Sequence, residues 1–219
     1  LEGFSGGLAR AAKHYGMALV GGDTTRGPLA MSLQVMGDVP VAQALRRDGA
    51  QVGDEVYVSG ALGAANLALD YLAEAQPKGH VAALLQAYYQ PSSCIELGQA
   101  LRGIASAAID ISDGLLADVG HIAHRSGLQI ALDSKALPIH PAVVALCDPT
   151  RALQAASSGG DDYQLAFCVP QQHVAQLETL PFTLTRIGRC CVGQGVTIDG
   201  RSEQHTGYQH FEVNHDHTR

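Results

Sequence analysis

The segment 109–114, with the sequence IDISDG, constrains this chain more than any other stretch of it. It follows a small apolar run at 105–108 and precedes an amphipathic stretch at 115–124, which predicts a strand, a tight turn and a helix. At the strand end the two isoleucines point one way, whereas Asp110 and Ser112 point the other. The turn therefore places two carboxylates, those of Asp110 and Asp113, and a hydroxyl where a helix begins.

Two interpretations of this turn are open from the residues alone. Asp113 followed by Gly114 is an ordinary helix start, where an acidic first turn suits the helix dipole. Asp110 is different, because a carboxylate that ends an apolar strand is costly unless something binds it. Clustered hard oxygen ligands suit Mg²⁺, which takes one or two carboxylates and shares its other positions with water and phosphate. The alternative is a capped helix after a strand, with one solvated aspartate.

Composition narrows the class of partner. The 219 residues are 46% hydrophobic and carry a net charge of −7, so we expect a globular chain of one large domain or a domain and part of another. The sequence has no Lys/Arg-rich run and no apolar stretch of membrane-span length, so neither nucleic acid nor a membrane is expected as a partner. A phosphate ligand would have to reach the acidic residues through a divalent cation.

Cysteine and histidine usage indicates no further metal centre. The five cysteines form no CxxC pair, and an odd number makes a poor disulfide framework, so we expect a reducing cytoplasm as the location. Among the ten histidines, His121 and His124 share a helix face, but no nearby cysteine or carboxylate completes a zinc pattern.

Periodicity predicts strands and helices that mix without strict alternation. This favours an α/β chain of mixed α+β character, with a mixed sheet flanked by helices. We place a domain boundary in the connector 37–53, giving domains 1–50 and 51–219, and expect a segment upstream of Leu1 because a helix is already under way at Phe4. The predicted strands are 17–20, 30–36, 55–58, the strand ending at Asp110, 128–132, 163–169, 182–187 and 196–198.

Four loops share one style, a glycine or serine turn beside a strand, and three of them contain aspartate. Each alone is compatible with ordinary turn chemistry. Together they predict one convergent metal and phosphate site, which Arg47 could approach bidentately unless it is only a solvated charge of the connector. The loops are 21–25 (GGDTT), 59–63 (SGALG), 110–113 (DISD) and 157–163 (SSGGDDY).

No nucleophile with an adjacent base stands out, and the Walker A pattern is absent. This does not argue against an enzyme, because a phosphate monoester with a second pKa near ~6 is already an anion and needs no general base. Positioning and charge neutralisation would then carry the catalysis of a phosphoryl transfer.

Three motifs together resemble thiamine-monophosphate kinase, of the aminoimidazole ribonucleotide synthetase-like superfamily. They are GGDTTRG at 21–27, IDISDGL at 109–115 and SSGGDDYQL at 157–165, and the resemblance runs in order from residue 1 to about residue 211. It implies transfer of the γ-phosphate of ATP to thiamine monophosphate, giving thiamine diphosphate by direct in-line attack with Mg²⁺ ions. It also implies a homodimer for the full-length enzyme.

The same resemblance implies roles for individual residues at the nucleotide and metal site. Asp110 and Asp113 are implied as the catalytic pair. The implied nucleotide contacts are Gly22, Asp23, Arg47 and Ser112. The implied Mg²⁺ ligands are Asp23, Asp110 and Asp113.

On the substrate side, Asp161 stands where the family has glutamate, near the thiamine phosphate, and its shorter side chain departs from the pattern. The segment 207–211 resembles a C-terminal family segment in which an aromatic residue packs on thiamine. The resemblance favours Tyr208 for that contact, with Phe211 as the other candidate.

The resemblance also implies a missing front segment of roughly a hundred residues, about the size of a small domain. In the family it carries further Mg²⁺-binding aspartates and a substrate-contacting histidine. Residues 1–50 would then be the C-terminal part of an N-terminal domain that binds ATP and Mg²⁺. Expressed alone from Leu1, the chain is expected to be poorly soluble or inactive.

Two other functions remain open at this point. One is another ATP-dependent activity of the superfamily, of the aminoimidazole ribonucleotide or selenophosphate synthetase type, although the SSGGDDY and TTRG segments favour the kinase. The other is an inactive truncated module that binds nucleotide or a partner without turnover.

Overall fold

The computed structural model describes residues 1–202, which divide into two units after Asp38. The first unit holds one helix, α1 (Glu2–His14), followed by a segment that is neither helix nor strand. On α1, Phe4 and Leu8 contribute to an apolar pocket of about 380 Å³ that residues 31–33 complete. The predicted opening helix is therefore confirmed.

The strands predicted at 17–20 and 30–36 are wrong for this structure. Both segments have the apolar content of strands, but neither is paired, and the first unit contains no strand. A strand satisfies its backbone N–H and C=O groups only through a neighbour. The apolar pattern of these segments therefore indicated a tendency to form strands, but the described residues of this unit provide no strand for them to pair with.

The second unit, from Val39 onward, is built on one seven-stranded sheet. Its strands are β1 (Glu55–Ser59), β2 (Ala107–Asp110), β3 (Gln129–Leu132), β4 (Leu165–Val169), β5 (Leu184–Cys191), β6 (Gly195–Ile198) and β7 (Arg201–Ser202). They lie in the order β2-β4-β1-β5-β3-β6-β7. Only the β3–β6 pair is parallel, so the sheet is mixed, as the sequence predicted.

Seven helices of the described residues accompany this sheet. They are α2 (Ala64–Ala68), α3 (Gly79–Tyr89), α4 (Ile95–Ala100), α5 (Leu115–Ser126), α6 (Pro141–Leu146), α7 (Pro149–Ser158) and α8 (Val174–Leu177). Helix α7 was not predicted from the sequence, although its start carries a clear signal. Pro149 occupies the first turn, and Asp148 accepts hydrogen bonds from the backbone N–H groups of Thr150 (2.9 Å) and Arg151 (3.2 Å).

The core lies on both faces of the sheet because side chains alternate along each strand. On β1, Val56 and Val58 belong to the cluster that includes the buried face of α5. Tyr57, between them, belongs to the opposite cluster, where its ring stacks on Phe167 with centroids 5.9 Å apart.

Within residues 1–202, no helix has the length and apolar character needed to cross a membrane. The division into domains 1–50 and 51–219 stays a prediction.

The first unit leaves a run of large apolar side chains in water. Leu33 is 66% exposed and Val35 is 63% exposed, within a segment whose other apolar residues are similarly uncovered. Exposed apolar surface of this kind promotes association. We expect Leu33→Ser combined with Val35→Ser to raise the soluble fraction of the chain, measured by sedimentation. The unfolding midpoint of the sheet unit should not change.

The matched control for that double substitution is Val192→Ser. Val192 is 84% exposed but stands alone on a turn of the second unit. Its replacement should leave the soluble fraction as it is. An equal gain in soluble fraction from both variants would show that the exposed apolar segment around Leu33 and Val35 has no particular role in association.

Candidate functional site

The predicted turn after β2 has the form that the sequence indicated. β2 ends at Asp110, whose side chain is exposed, and α5 begins at Leu115. Ser112 and Asp113 are half-buried between them. Gly114 has a φ of +113°, and a Cβ there would lie 2.7 Å from the carbonyl oxygen of Ser158, so only glycine fits.

A buried aspartate that the sequence analysis missed holds this turn. Asp118, in the first turn of α5, is 2% exposed, and its Oδ2 accepts hydrogen bonds from the backbone N–H groups of Ser112 (2.9 Å) and Asp113 (3.0 Å). Burial raises the pKa of Asp118, while these two N–H donors work in the opposite direction. The available signal was an acidic residue among the apolar positions of an amphipathic helix.

The SSGGDDY motif pairs with the same turn through its backbone. The N–H of Ile111 donates to the carbonyl of Gln164 (2.8 Å), and the N–H of Tyr163 donates back to Ile111 (2.9 Å). The N–H of Asp161 donates to the carbonyl of Ser112 (2.9 Å). Two of the four predicted loops therefore converge, and they do so as a continuation of the β2–β4 ladder.

Asp161 and Tyr163 have left-handed backbone conformations, with φ of +66° and +50°. Such angles cost energy for residues with a Cβ, and they persist where the surroundings hold them. Here they place the Tyr163 hydroxyl 3.2 Å from Oδ1 of Asp161, to which it donates. The conformation directs an exposed carboxylate and an aromatic ring away from the sheet.

Asp162, between them, is directed inward and brings in a third predicted loop. Its Oδ2 accepts from the N–H of Gly63 (2.7 Å), and its Oδ1 accepts more weakly from Ala65 (3.5 Å). Burial raises the pKa of Asp162 to about 6, against the two N–H donors, with the neighbouring charge of Asp161 adding to the rise. The SGALG turn is thereby fixed to the SSGGDDY motif.

A groove opens beside these loops. Its volume is about 580 Å³, and it is lined by Arg47, Asp110 and Tyr163 together with a largely apolar wall. That wall consists of Leu45, Pro91, Ser92, Ser93, Cys94, Ile95, Gly98, Ala108, Ile109 and Leu165. Arg47 reaches this position because the N–H of Ala108 donates to the carbonyl of Arg46 (2.8 Å), which holds the connector along β2. Arg47 and Asp110, distant in sequence, thus face one groove.

The acidic groups around the groove share one electrostatic environment. Burial raises the pKa of Tyr163, and the charges of Asp161, Asp110 and Asp113 raise it further. Within residues 1–202, no three His, Cys, Asp or Glu side chains are grouped closely enough to hold a metal ion by themselves. Asp110 and Asp113 fit the donor set of Mg²⁺, which commonly takes two carboxylates and completes its shell with phosphate and water.

The remaining predicted residues either belong to the first unit or fall outside the described residues. Gly22 and Asp23 belong to the first unit, where both are exposed and Asp23 Oδ1 accepts a hydrogen bond from the N–H of Thr24 (2.7 Å). Tyr208 and Phe211 fall outside the described residues. The functional roles of all the predicted site residues stay predictions.

Comparison with known proteins identifies the family. No protein-family model matches the sequence. The chain is 41% identical over 231 residues to the thiamine-monophosphate kinase of Escherichia coli K12, covering 96% of this chain and 69% of the relative. The chain belongs to the thiamine-monophosphate kinase family. A second relative, the Salmonella typhimurium enzyme of the same name, is 43% identical over 203 residues, which are 89% of this chain. The chain spans 60% of the length of that relative.

Solved structures of the family have the same fold. The crystal structure of thiamine-monophosphate kinase from Stenotrophomonas maltophilia K279a matches with a TM-score of 0.87 and 44% identity, over 92% of this chain and 67% of that one. AaThiL complexed with AMPPCP and TMP matches with a TM-score of 0.68 and 36% identity, over 76% of this chain and 54% of that one. The family resemblance and the mixed α/β fold predicted from sequence are both confirmed.

The contact between the two motifs can be tested at Gly160. A Cβ at this position would lie 2.4 Å from the carbonyl oxygen of Ser112, so the two loops would have to separate. We expect Gly160→Ala to lower the free energy of unfolding by about 1–3 kcal/mol, as forced overpacking does. Chemical denaturation measures this. Gly3→Ala is the control, because no atom lies within 4 Å of its added Cβ, and an equal loss there would remove the steric explanation.

The buried carboxyl of Asp162 predicts a specific pH dependence. Its pKa is raised from 3.8 to about 6, so between these values the folded state binds more protons than the unfolded state. Stability from this group is complete below pH ~4 and is lost as the pH rises through about 6. This rise in pKa corresponds to a change of at most about 3 kcal/mol in the free energy of unfolding.

Asp162→Asn removes that titration and keeps one acceptor oxygen. The variant should therefore become more stable relative to wild type between pH 4 and pH 7, which appears as a rise in its free energy of unfolding relative to that of wild type, measured by urea titration. The exposed Asp133 supplies the control substitution, Asp133→Asn. Parallel pH profiles for wild type and Asp162→Asn would contradict the assignment.

Proposed function

We propose that the protein acts in the ATP-dependent phosphorylation of thiamine monophosphate to thiamine diphosphate. One observation carries the proposal: the IDISDG and SSGGDDY motifs meet beside a groove that Arg47 and Asp110 also line. Membership of the family supplies the reaction, since the relatives bear the name of this kinase. The solved structure of AaThiL is complexed with AMPPCP and TMP. AMPPCP is an analogue of the proposed nucleotide, ATP, and TMP corresponds to the proposed phosphate acceptor.

The chemistry requires charge neutralisation rather than a base. The acceptor is a phosphate monoester and is ionised near neutral pH, so it can attack without losing a proton to the protein. The transferred group is surrounded by anions, and bringing them together is the main barrier that an enzyme must lower. Mg²⁺, when bound, would neutralise phosphate oxygens, with Asp110 and Asp113 as its proposed ligands and Asp23 proposed as a further one.

The chain's own residues would orient the two substrates. Arg47, the one cationic side chain among the described residues that line the groove, would donate to phosphate oxygens. Ser112 would contact the nucleotide from the turn. The apolar wall of the groove suits a heterocyclic ring. Asp161 is the proposed contact to thiamine monophosphate, and Tyr208 or Phe211 would pack on its thiamine moiety. We further propose a cytoplasmic location and a homodimer for the full-length enzyme.

Substitution of Asp110 tests the proposal. In the full-length enzyme, Asp110→Asn should lower phosphoryl transfer by about 100-fold or more, because one proposed carboxylate ligand of the Mg²⁺ that neutralises the reacting phosphates is lost. Formation of thiamine diphosphate from ATP and thiamine monophosphate, separated by chromatography, measures the effect. Thermal stability should stay the same or rise, since the substitution removes repulsion among neighbouring carboxylates.

Asp133→Asn serves as the control, since Asp133 is exposed and lies beyond β3, away from the groove. It should retain full activity. Wild-type turnover by Asp110→Asn would rule out the proposed role of this carboxylate. Absence of the reaction in the full-length wild-type enzyme would instead rule out the proposed substrates.

A further inference from the structure

A second depression lies behind the groove, between the connector and α5. It has a volume of about 390 Å³ and is lined by Arg46, Arg47, Asp48, His121, His124 and Arg125. We call it the basic pocket. It shares Arg47 with the groove but none of the other groove residues, and it includes neither Asp110 nor Asp113.

The charge of the basic pocket contrasts with that of the chain, which is −7 overall. Three arginines face a single aspartate. That aspartate, Asp48, is already engaged, because Arg46 donates to both of its oxygens, from Nε (2.8 Å) and Nη2 (2.6 Å). Among the ion pairs of the described residues, none involves Arg47 or Arg125. Among the described residues, Arg47 and Arg125 therefore form no ion pair with a carboxylate, although, after the hydrogen bond from Arg46, the charge of Arg125 contributes to lowering the pKa of Asp48.

The walls of the basic pocket are held in place by the fold. Ser126 Oγ, at the end of α5, donates to the carbonyl of Arg47 (3.2 Å) and accepts from the N–H of Ala50 (3.3 Å). His121 and His124 are exposed and nearly one turn apart on α5, whose opposite face is buried in the core. The cationic side chains therefore project from two elements whose spacing is fixed before any ligand arrives.

The lining selects for a small phosphate-like anion. Guanidinium groups present paired N–H donors that match phosphate oxygens, and imidazole N–H groups add further donors. The basic pocket is lined by arginine, histidine and aspartate alone, whereas the groove has a largely apolar wall. Its chemistry suits phosphate itself.

We propose that the basic pocket is a binding site for inorganic phosphate, separate from the substrate groove and in competition with it for Arg47. One guanidinium cannot direct its donors to both cavities at once. Phosphate in the basic pocket would therefore withdraw Arg47 from the nucleotide and weaken nucleotide binding. The binding of phosphate stands by itself, whereas its antagonism to nucleotide rests on the proposed function.

The first experiment measures binding without turnover. Inorganic phosphate is titrated by calorimetry into the full-length protein in the absence of Mg²⁺ and nucleotide, for wild type and for the double variant Arg125→Gln/His124→Gln. We expect the double variant to bind phosphate at least tenfold more weakly. The control is Arg201→Gln, an exposed arginine on β7, which should bind as wild type does, and thermal melts establish that all variants are folded.

The second experiment measures AMPPCP binding with and without phosphate. Phosphate should raise the apparent Kd of AMPPCP in wild type and should have no effect in the double variant. Phosphate binding by wild type that the double variant retains would overturn the proposal, as would no binding at all, in which case His124 and Arg125 only complement the dipole at the end of α5.

A third outcome distinguishes free inorganic phosphate from a phosphate group of the nucleotide as the occupant of the basic pocket. If the double variant loses affinity for AMPPCP in the absence of free phosphate, the basic pocket belongs to the nucleotide site, and a separate phosphate site is excluded. Failure of the kinase assay alone would leave the calorimetric result untouched. The proposed function and the phosphate site can therefore fail independently.

Discussion

Three backbone hydrogen bonds join the turn after β2 to the segment before β4, and the candidate site depends on them. They run between Ile111 and Gln164, Tyr163 and Ile111, and Asp161 and Ser112. Because they continue the antiparallel ladder beyond the strand ends, both acid-bearing loops leave the sheet at the same edge. Residues about fifty positions apart in sequence are thereby brought into contact without any side chain being required for it.

Buried carboxylates then fix the positions of the exposed ones. Asp118 accepts from two N–H groups of the turn, and Asp162 accepts from two at the start of α2. Each is costly to bury as an anion, and burial raises both pKa values. The cost is offset because the backbone donors would otherwise be unpaired in the same places. The exposed Asp110 and Asp161 and the half-buried Asp113 consequently project from a scaffold that is already ordered.

Much of this arrangement could be predicted from the sequence, because it is local. The turn 109–114, the amphipathic helix after it and the mixed character of the sheet follow from periodicity and turn chemistry. The pairing of residue 111 with residues 163 and 164 could not be predicted, since it depends on which strands become neighbours. Asp162 was missed for the same reason, since its partners Gly63 and Ala65 lie 99 and 97 positions away. Asp118 is different, because its partners Asp113 and Ser112 lie only five and six positions before it, and its signal in the sequence was local.

The failed strand predictions at 17–20 and 30–36 have a different cause. Strand formation depends on partners as well as on side-chain alternation, and those segments find none among the described residues of their unit. In the second unit the strand predicted at 55–58 formed β1, which lies between β4 and β5 and is buried on both faces. Apolar segments of strand length therefore became strands where the sheet could supply neighbours.

The neighbourhood of Asp161 shows how a departure from the family pattern can be accommodated. The sequence resemblance implies aspartate there in place of the family's glutamate, and an aspartate side chain reaches less far from the backbone. Asp161 and Tyr163 both have left-handed conformations, and the phenol of Tyr163 donates a hydrogen bond to the carboxylate of Asp161. The phenol then extends the polar surface toward the groove that it lines. Carboxylate and phenol together therefore form one hydrogen-bonded polar group beside the groove.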